Sequence, residues 1–248
     1  MRNLLLTISF DGTAYHGWQV QENAVTVQQT LQDAVEKLFG VRENIVGCSR
    51  TDSGVHANMY CCNIRTESKL PCEVVVRGLN AHLPEDISVL SCSEVEFDFH
   101  ARYDCLGKEY IYVIHNSAIR DPFLVNRCWD FNKYIDAEFL NDQAKSFCGE
   151  HDFKAFCSAG SSAQSTVRNV DYFNVERNGE NIIMSVKANG FLYNMVRIMV
   201  GTLTDITLGR IQPDTIPDII SSLDRTSAGI TAPPQGLYLN RVFYSGAE

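Results

Sequence analysis

Two tryptophans and seven prolines are all that the 248 residues contain of those types. No apolar run comes near the ~18 residues that a membrane-spanning helix needs, and no Pro-, Gly- or Ser-rich stretch marks a linker. Nine cysteines are present, but none are spaced C-x-x-C, the count is odd, and Cys61 and Cys62 are adjacent. That pattern fits neither a zinc ligand set nor a disulfide framework. Free thiols in a reducing compartment follow, and with them an expected cytoplasmic location. The six histidines lack H-E-x-x-H or similar spacing, so no metal is expected. Neither G-x-x-x-x-G-K-S/T nor G-x-G-x-x-G occurs, which removes the common nucleotide-phosphate cradles, and a G-x-S-x-G nucleophile elbow is missing too. Positive charge is scarce: 21 Lys and Arg against 30 Asp and Glu leave a net charge of -9. The whole surface therefore does not advertise a polyanion partner, and any such partner needs a locally basic cleft.

What remains is an ordinary globular composition, 45% hydrophobic and 21% charged, in a length that predicts one or two domains. Leu4, Leu6 and Ile8 alternate with Leu5, Thr7 and Ser9, the period of a strand. Thr26 with Gln29 forms a capping box, Val27, Leu31, Val35 and Leu38 keep helical spacing, and Gly40 supplies a stop. Strands follow at 45–48 and 59–65, a helix at 73–83 and a strand at 87–95, giving β-α-β-β-α-β. From residue 108 the order repeats: a strand through Tyr110, Tyr112 and Ile114, a helix at 136–148, strands at 166–176 and 181–188, a long helix from Phe191 to about Leu208, a short helix after Pro213, and a final strand at 237–244. The expected class is α+β, two ferredoxin-like halves with mixed, mainly antiparallel sheets forming a central cleft. The halves are placed at 1–105 and 106–248. Element order does not name a function, so function has to come from sites.

The most unusual segment joins the second and third strands, Gly47-Cys48-Ser49-Arg50-Thr51-Asp52-Ser53-Gly54-Val55-His56-Ala57. Its small residues let the backbone turn tightly and a substrate come close. Asp52 there fits three roles: covalent nucleophile, general acid or base, or Asx-turn cap. A second signal is Arg197, in the middle of a helix that is apolar on nearly every side. A buried guanidinium needs a carboxylate or an equivalent partner; the alternatives are snorkelling to solvent or pairing with a nearby acid such as Asp205. Asp52 from the first half and Arg197 from the second would make a site at the junction of the two. Arg102 and Lys108 stand beside His100, Tyr110 and Tyr112, a combination that grips phosphates and stacks bases, although core aromatics beside surface cations are commoner. Residues 10–21, rich in Gly, aromatic and amide side chains, form a loop of the kind that lines clefts.

Five segments in order resemble the TruA-type tRNA pseudouridine synthases: Phe10-Asp11-Gly12-Thr13 through Gly17-Trp18-Gln19-x-Gln21, Arg50-Thr51-Asp52-x-Gly54-Val55-His56-Ala57, Phe99-His100-Ala101-Arg102 with Lys108-x-Tyr110, Asn189-Gly190-Phe191-Leu192-x-Asn194-Met195-Val196-Arg197, and Ala232-Pro233-Pro234-x-Gly236-Leu237. The resemblance implies a cofactor-free isomerase that converts uridine to pseudouridine in the anticodon stem-loop of tRNA, at positions 38, 39 and 40, by a cytoplasmic homodimer with a basic cleft. Asp52 would act on the target ribose, by addition at C1′ or by removing the C2′ proton. Tyr110 would stack on the target base, and Arg197 would pair with the carboxylate of Asp52 and keep it ionised. Arg50 would fill the space left by the flipped nucleotide. Thr51, His56, Arg102, Lys108, Asn189, Gly190, Phe191 and Leu192 would contact the RNA.

Two small-for-small departures, Ser49 and Ser53 where the family pattern has Gly and Ala, leave the backbone options nearly intact. The net charge predicts that the acidic stretch at 130–152 lies on a back face, with Arg50, Arg65, Arg102, Lys108, Arg168 and Arg197 around the cleft. The rival readings are a relative that modifies other RNA positions, a catalytically silent RNA-binding module, and a glycosidic hydrolase. The last would need a second, paired carboxylate, and none stands out.

Overall fold

In the computed structural model, which describes residues 1–245, the strands and helices follow in the order β1 (Arg2–Phe10), α1 (Val27–Phe39), β2 (Ile45–Gly47), β3 (His56–Thr66), α2 (Cys72–His82), β4 (Ile87–Val95), β5 (Cys105–His115), β6 (Trp129–Asp130), α3 (Ala137–Ala144), β7 (Gly149–Asp152), β8 (Val167–Asn178), β9 (Asn181–Ala188), α4 (Met195–Thr207), α5 (Ile216–Ser222) and β10 (Leu237–Tyr244). The class is α+β with mixed, mostly antiparallel strand pairing. The chain divides into two compact units, Met1–Leu106 with the segment from Tyr238 onward, and Gly107–Leu237.

In the first unit β1 is the centre, antiparallel to both β3 and β4. The register sets Leu4 opposite Ile64, Leu6 opposite Cys62 and Ile8 opposite Tyr60, so one face of alternating side chains becomes a continuous layer buried from water. Helix α1 buries Val27, Leu31, Ala34 and Val35 and packs against α2 and β2. Thr26 caps α1 by accepting the Gln29 N–H, and Gly40, at φ 76°, ends it. The second edge of β3 is shared. Antiparallel β2 takes residues 62–64, and parallel β10 takes the start of the strand, Tyr238 beside His56 and Leu239 beside Ala57. From sequence β10 closes the second half; from Tyr238 on its contacts place it with the first, because the loop between β2 and β3 leaves the first residues of β3 without β2 as a neighbour.

In the second unit the strands run β5-β9-β8-β7, with β6 parallel to the end of β5. Tyr110, Tyr112 and Ile114 stand opposite Val186, Met184 and Ile182; Phe173 and Val175 continue the layer on β8. Phe147 closes over it, 5.6 Å from the Phe173 ring and 5.1 Å edge-on from Phe156. Helix α4 is buried from Met195 to Ile206 except at Arg197. It begins at Met195, not Phe191 as the sequence predicts, because Asn194 adopts the left-handed conformation at φ 61° and breaks the right-handed spiral. Among the described residues no helix is long and apolar enough to cross a membrane.

Candidate active site

Four of the sequence-predicted site residues, Arg50, Thr51, Asp52 and His56, come together in the first unit on the link from β2 to β3. Arg50 is exposed, Asp52 is half-buried, and Thr51 and His56 are buried. The link is held from behind by residues 11–18. The Trp18 N–H donates to the Thr51 carbonyl (3.1 Å), and the Gly54 N–H (3.3 Å) and Ser53 hydroxyl (3.3 Å) both donate to the Tyr15 carbonyl. Within the link the Val55 N–H donates to the Asp52 carbonyl (3.2 Å). Approach is so close that a Cβ on Gly17, which sits at φ +82°, would lie 2.4 Å from the Thr51 oxygen; one on Gly12 would lie 2.0 Å from the Val55 oxygen. Only glycine fits at either position.

The clamp is itself anchored. The Tyr15 hydroxyl donates to Asp86 Oδ1 (2.6 Å), the Asp11 N–H donates to the Asp86 carbonyl (2.9 Å), and burial together with the Asp86 carboxylate pushes the Tyr15 phenol well above its ordinary range. The Trp18 ring stacks on Tyr60 at 4.1 Å, and the Tyr60 hydroxyl hydrogen-bonds the Ser49 carbonyl. His56 ends the link with its ring stacked 4.6 Å from Tyr238. Its Nδ1 is 3.1 Å from the Gly12 nitrogen and 3.0 Å from Asp11 Oδ1.

Arg102, also in the first unit, lies on a separate turn. The buried Asn63 accepts the Ala101 N–H (2.9 Å), and the Tyr244 hydroxyl donates to the Ala101 carbonyl (2.7 Å), leaving the Arg102 side chain exposed with its guanidinium 5.9 Å from the Tyr103 ring. That geometry suits a cation offered to solvent or to a phosphate.

The second unit holds the remaining residues. Lys108 and Tyr110 lie two apart on β5, on one face. Tyr110 is 6% exposed and meets Phe191 edge-on at 5.1 Å. Arg197 points its Nε at the Ala232 carbonyl (2.7 Å) and its Nη1 at Asn194 Oδ1 (2.7 Å). Asp205, the alternative partner considered from sequence, accepts instead from Arg210 (3.1 Å) and the Ile230 N–H (3.1 Å). One residue beyond Ala232, the Pro233 carbonyl accepts the Tyr112 hydroxyl (2.7 Å). Tyr112 is buried, which raises its pKa, with the Arg197 charge pulling the other way.

Asn189 closes the end of the β8–β9 ladder: its N–H donates to the Asn169 carbonyl (3.1 Å) and its Oδ1 accepts the Asn169 N–H (3.0 Å). Gly190 lies beside the Arg168 side chain, Phe191 is half-buried, and Leu192 belongs to the core. Sequence reading missed the holders, namely Gly12, Gly17 and Tyr15 in one unit and Asn194, Ala232 and Pro233 in the other. All of these stand in the segments quoted above, so position was the available signal. Among the described residues no group of three or more His, Cys, Asp and Glu side chains could hold a metal ion.

The profile described as tRNA pseudouridine synthase matches residues 6–104 and 143–245. The chain belongs to the tRNA pseudouridine synthase family. Membership makes it an isomerase. Relatives align over nearly their whole length. One named "tRNA pseudouridine synthase A" from Thermoanaerobacter sp. (strain X514) is 48% identical over 244 residues, 98% of this chain and 100% of its own. One of the same name from Acetivibrio thermocellus is 46% identical, and "tRNA pseudouridine synthase A 2" of Clostridium perfringens is 43% identical, each with the same coverage. Among solved structures, a chain of a Cbf5-Nop10-Gar1 complex aligns with 96% of this chain and 59% of its own at 12% identity and TM-score 0.35, a likeness that adds nothing to the assignment. At the two small residues singled out from sequence, the Ser49 backbone carbonyl accepts from the Tyr60 hydroxyl, a bond that does not depend on the side chain at 49, and the Ser53 hydroxyl donates to the Tyr15 carbonyl.

Proposed function

We propose that this synthase converts uridine to pseudouridine at positions 38, 39 and 40 of the tRNA anticodon stem-loop, with Asp52 as the group that works on the ribose. Substrate and product are isomers. The N1–C1′ bond breaks, a C5–C1′ bond forms, C5 loses a proton and N1 gains one, so no electron or group donor enters the balance. The carboxylate acts at the target sugar, by addition at C1′ or by taking the C2′ proton, and the detached uracil turns within a site that keeps water out.

The observation that carries this reading is the clamp on the Asp52 link. Main-chain hydrogen bonds and two glycine approaches spend rigidity on a short loop that carries a half-buried carboxylate, as pre-organised chemistry requires. Tyr110 stacks on the uracil, with Phe191 at its edge. Arg197 pairs with Asp52 and holds it ionised. Arg50, exposed beside Asp52, takes the place of the extruded nucleotide. Thr51, His56, Arg102, Lys108 and the Asn189–Leu192 segment complete the RNA contacts. Each unit is a ferredoxin-like half, the RNA lies in a basic cleft, and the working form is a cytoplasmic homodimer. Placement of acid supports a cleft on the β5 side of the second unit: β7 and α3, which carry much of the acidic 130–152 stretch, lie with β8, across the sheet from β5, and Asp130 is at the opposite end of β5 from Lys108.

The test is to map pseudouridine in unmodified tRNA transcripts with uridines at 38–40, using the native chain, Asp52→Ala and Asp52→Asn. Product at those positions with the native chain and none with either variant is expected. A folded native chain that binds the tRNA but makes no product would overturn the proposal.

A further inference from the structure

Arg197 sits on a helix that opens on a residue few side chains tolerate. Asn194 stands at φ 61°, a conformation Asn and Gly accept at low cost, and its two amide atoms do two jobs. Oδ1 accepts from Arg197 Nη1 at 2.7 Å, and Nδ2 donates to the Ser158 hydroxyl at 2.9 Å. The loop that carries Ser158 is tied to the same place, since the Ser158 N–H donates to the Tyr193 carbonyl (3.1 Å). With Nε on the Ala232 carbonyl, two edges of the planar guanidinium are fixed inside its own unit, before any RNA arrives.

We infer that Asn194, backed by Ser158, is a positioning residue that sets the rotation of the Arg197 guanidinium for the isomerisation step. The inference rests on the role proposed above for Arg197. A helix cap alone does not explain the arrangement: the Asn194 side chain caps no N–H of α4. Both of its polar atoms go to side chains, one of them charged, and the Ser158 bond fixes which end of the amide faces the arginine.

Asn194→Gly removes the amide while keeping the backbone conformation available, which separates the side chain from the helix start. A lost hydrogen bond to a charged group corresponds to roughly a tenfold fall in kcat, with KM and tRNA affinity within about threefold of native and the melting temperature nearly unchanged. In an Arg197→Lys background, whose amine lacks the planar fork, the same substitution should cost less than about threefold further, because the two residues act as a unit. Native kcat in Asn194→Gly, or a full and additive loss in the Arg197→Lys background, overturns the inference. Should Asn194→Gly fail to fold, Ser158→Ala carries the same pair of measurements with a smaller expected loss, and native kcat or additivity there overturns it equally. Arg197→Lys with native kcat would instead remove the role assigned to Arg197 and this inference with it, whereas a slow Arg197→Lys beside a native Asn194→Gly removes this inference alone.

Discussion

The two units hold their chemical groups by different means. In the first, the loop of Asp52 is held chiefly through main chain: the carbonyls of Thr51 and Tyr15 and the N–H groups of Trp18 and Gly54 join two loops, with the Ser53 hydroxyl adding to the Tyr15 carbonyl, and Gly12 and Gly17 let them touch. In the second, Arg197 and the Tyr112 beside Tyr110 on β5 are fixed through their own polar side-chain atoms, which reach the consecutive carbonyls of Ala232 and Pro233 and, for Arg197, Asn194. A main-chain clamp is indifferent to which side chains it carries and intolerant of any added volume. A side-chain anchor is the reverse, sensitive to a single lost atom and tolerant of its neighbours.

The largest expected effect comes from forcing volume into the clamp. Gly17→Ala places a methyl 2.4 Å from the Thr51 oxygen at a φ of +82°, so the Asp52 link must shift. A displacement of about 1 Å at a reacting group costs on the order of a hundredfold, and that loss is expected in kcat by single-turnover pseudouridine formation while tRNA affinity holds. Gly40→Ala is the control, since φ is +76° there but nothing lies within 4 Å of the new Cβ. It should cost about 1 kcal/mol of stability and leave kcat alone. Equal kinetic losses in the two variants would erase the distinction between strain and displacement.

A smaller effect follows in the second unit. Tyr112→Phe removes the donor to the part-buried Pro233 carbonyl, for about 1 kcal/mol. At this chain length each kcal/mol lowers the melting temperature by roughly 2–4 °C. Arg197 keeps its own bond to Ala232, so kcat should fall only a few-fold. A loss as deep as that of Gly17→Ala would mean that the 232–233 strip is a single rigid clamp, and the two units would no longer differ in kind.

Much of this was legible in the chain. Alternation at Leu4, Leu6 and Ile8 and the Thr26–Gln29 cap with Gly40 correspond to β1 and α1, because local period and cap chemistry decide those elements. Asp52 and Arg197 stand out in the chain for physical reasons, a carboxylate among small residues and a charge on an apolar helix. What sequence could not supply was partnership at long range. Leu4 beside Ile64 spans sixty residues, and the Arg197–Ala232 bond spans 35. Nothing in either segment alone announces the other. Periodicity likewise carried α4 back to Phe191, since an apolar run looks the same on both sides of a left-handed Asn194.

The smallest effect is the sharpest probe of what the clamp is made of. The Ser53 hydroxyl and the Gly54 N–H both reach the Tyr15 carbonyl at 3.3 Å, so one contact belongs to a side chain and the other to the backbone of the same turn. Ser53 is exposed, where water replaces a lost hydroxyl bond at little cost, and a net value of about 0.5 kcal/mol is the low end for such bonds. Ser53→Ala should therefore change kcat by less than about twofold and barely move the melting temperature, because the Gly54 and Trp18 N–H groups still hold the link. A tenfold fall in kcat would show that a side chain carries the clamp after all, and the intolerance expected at Gly17 would then need another cause.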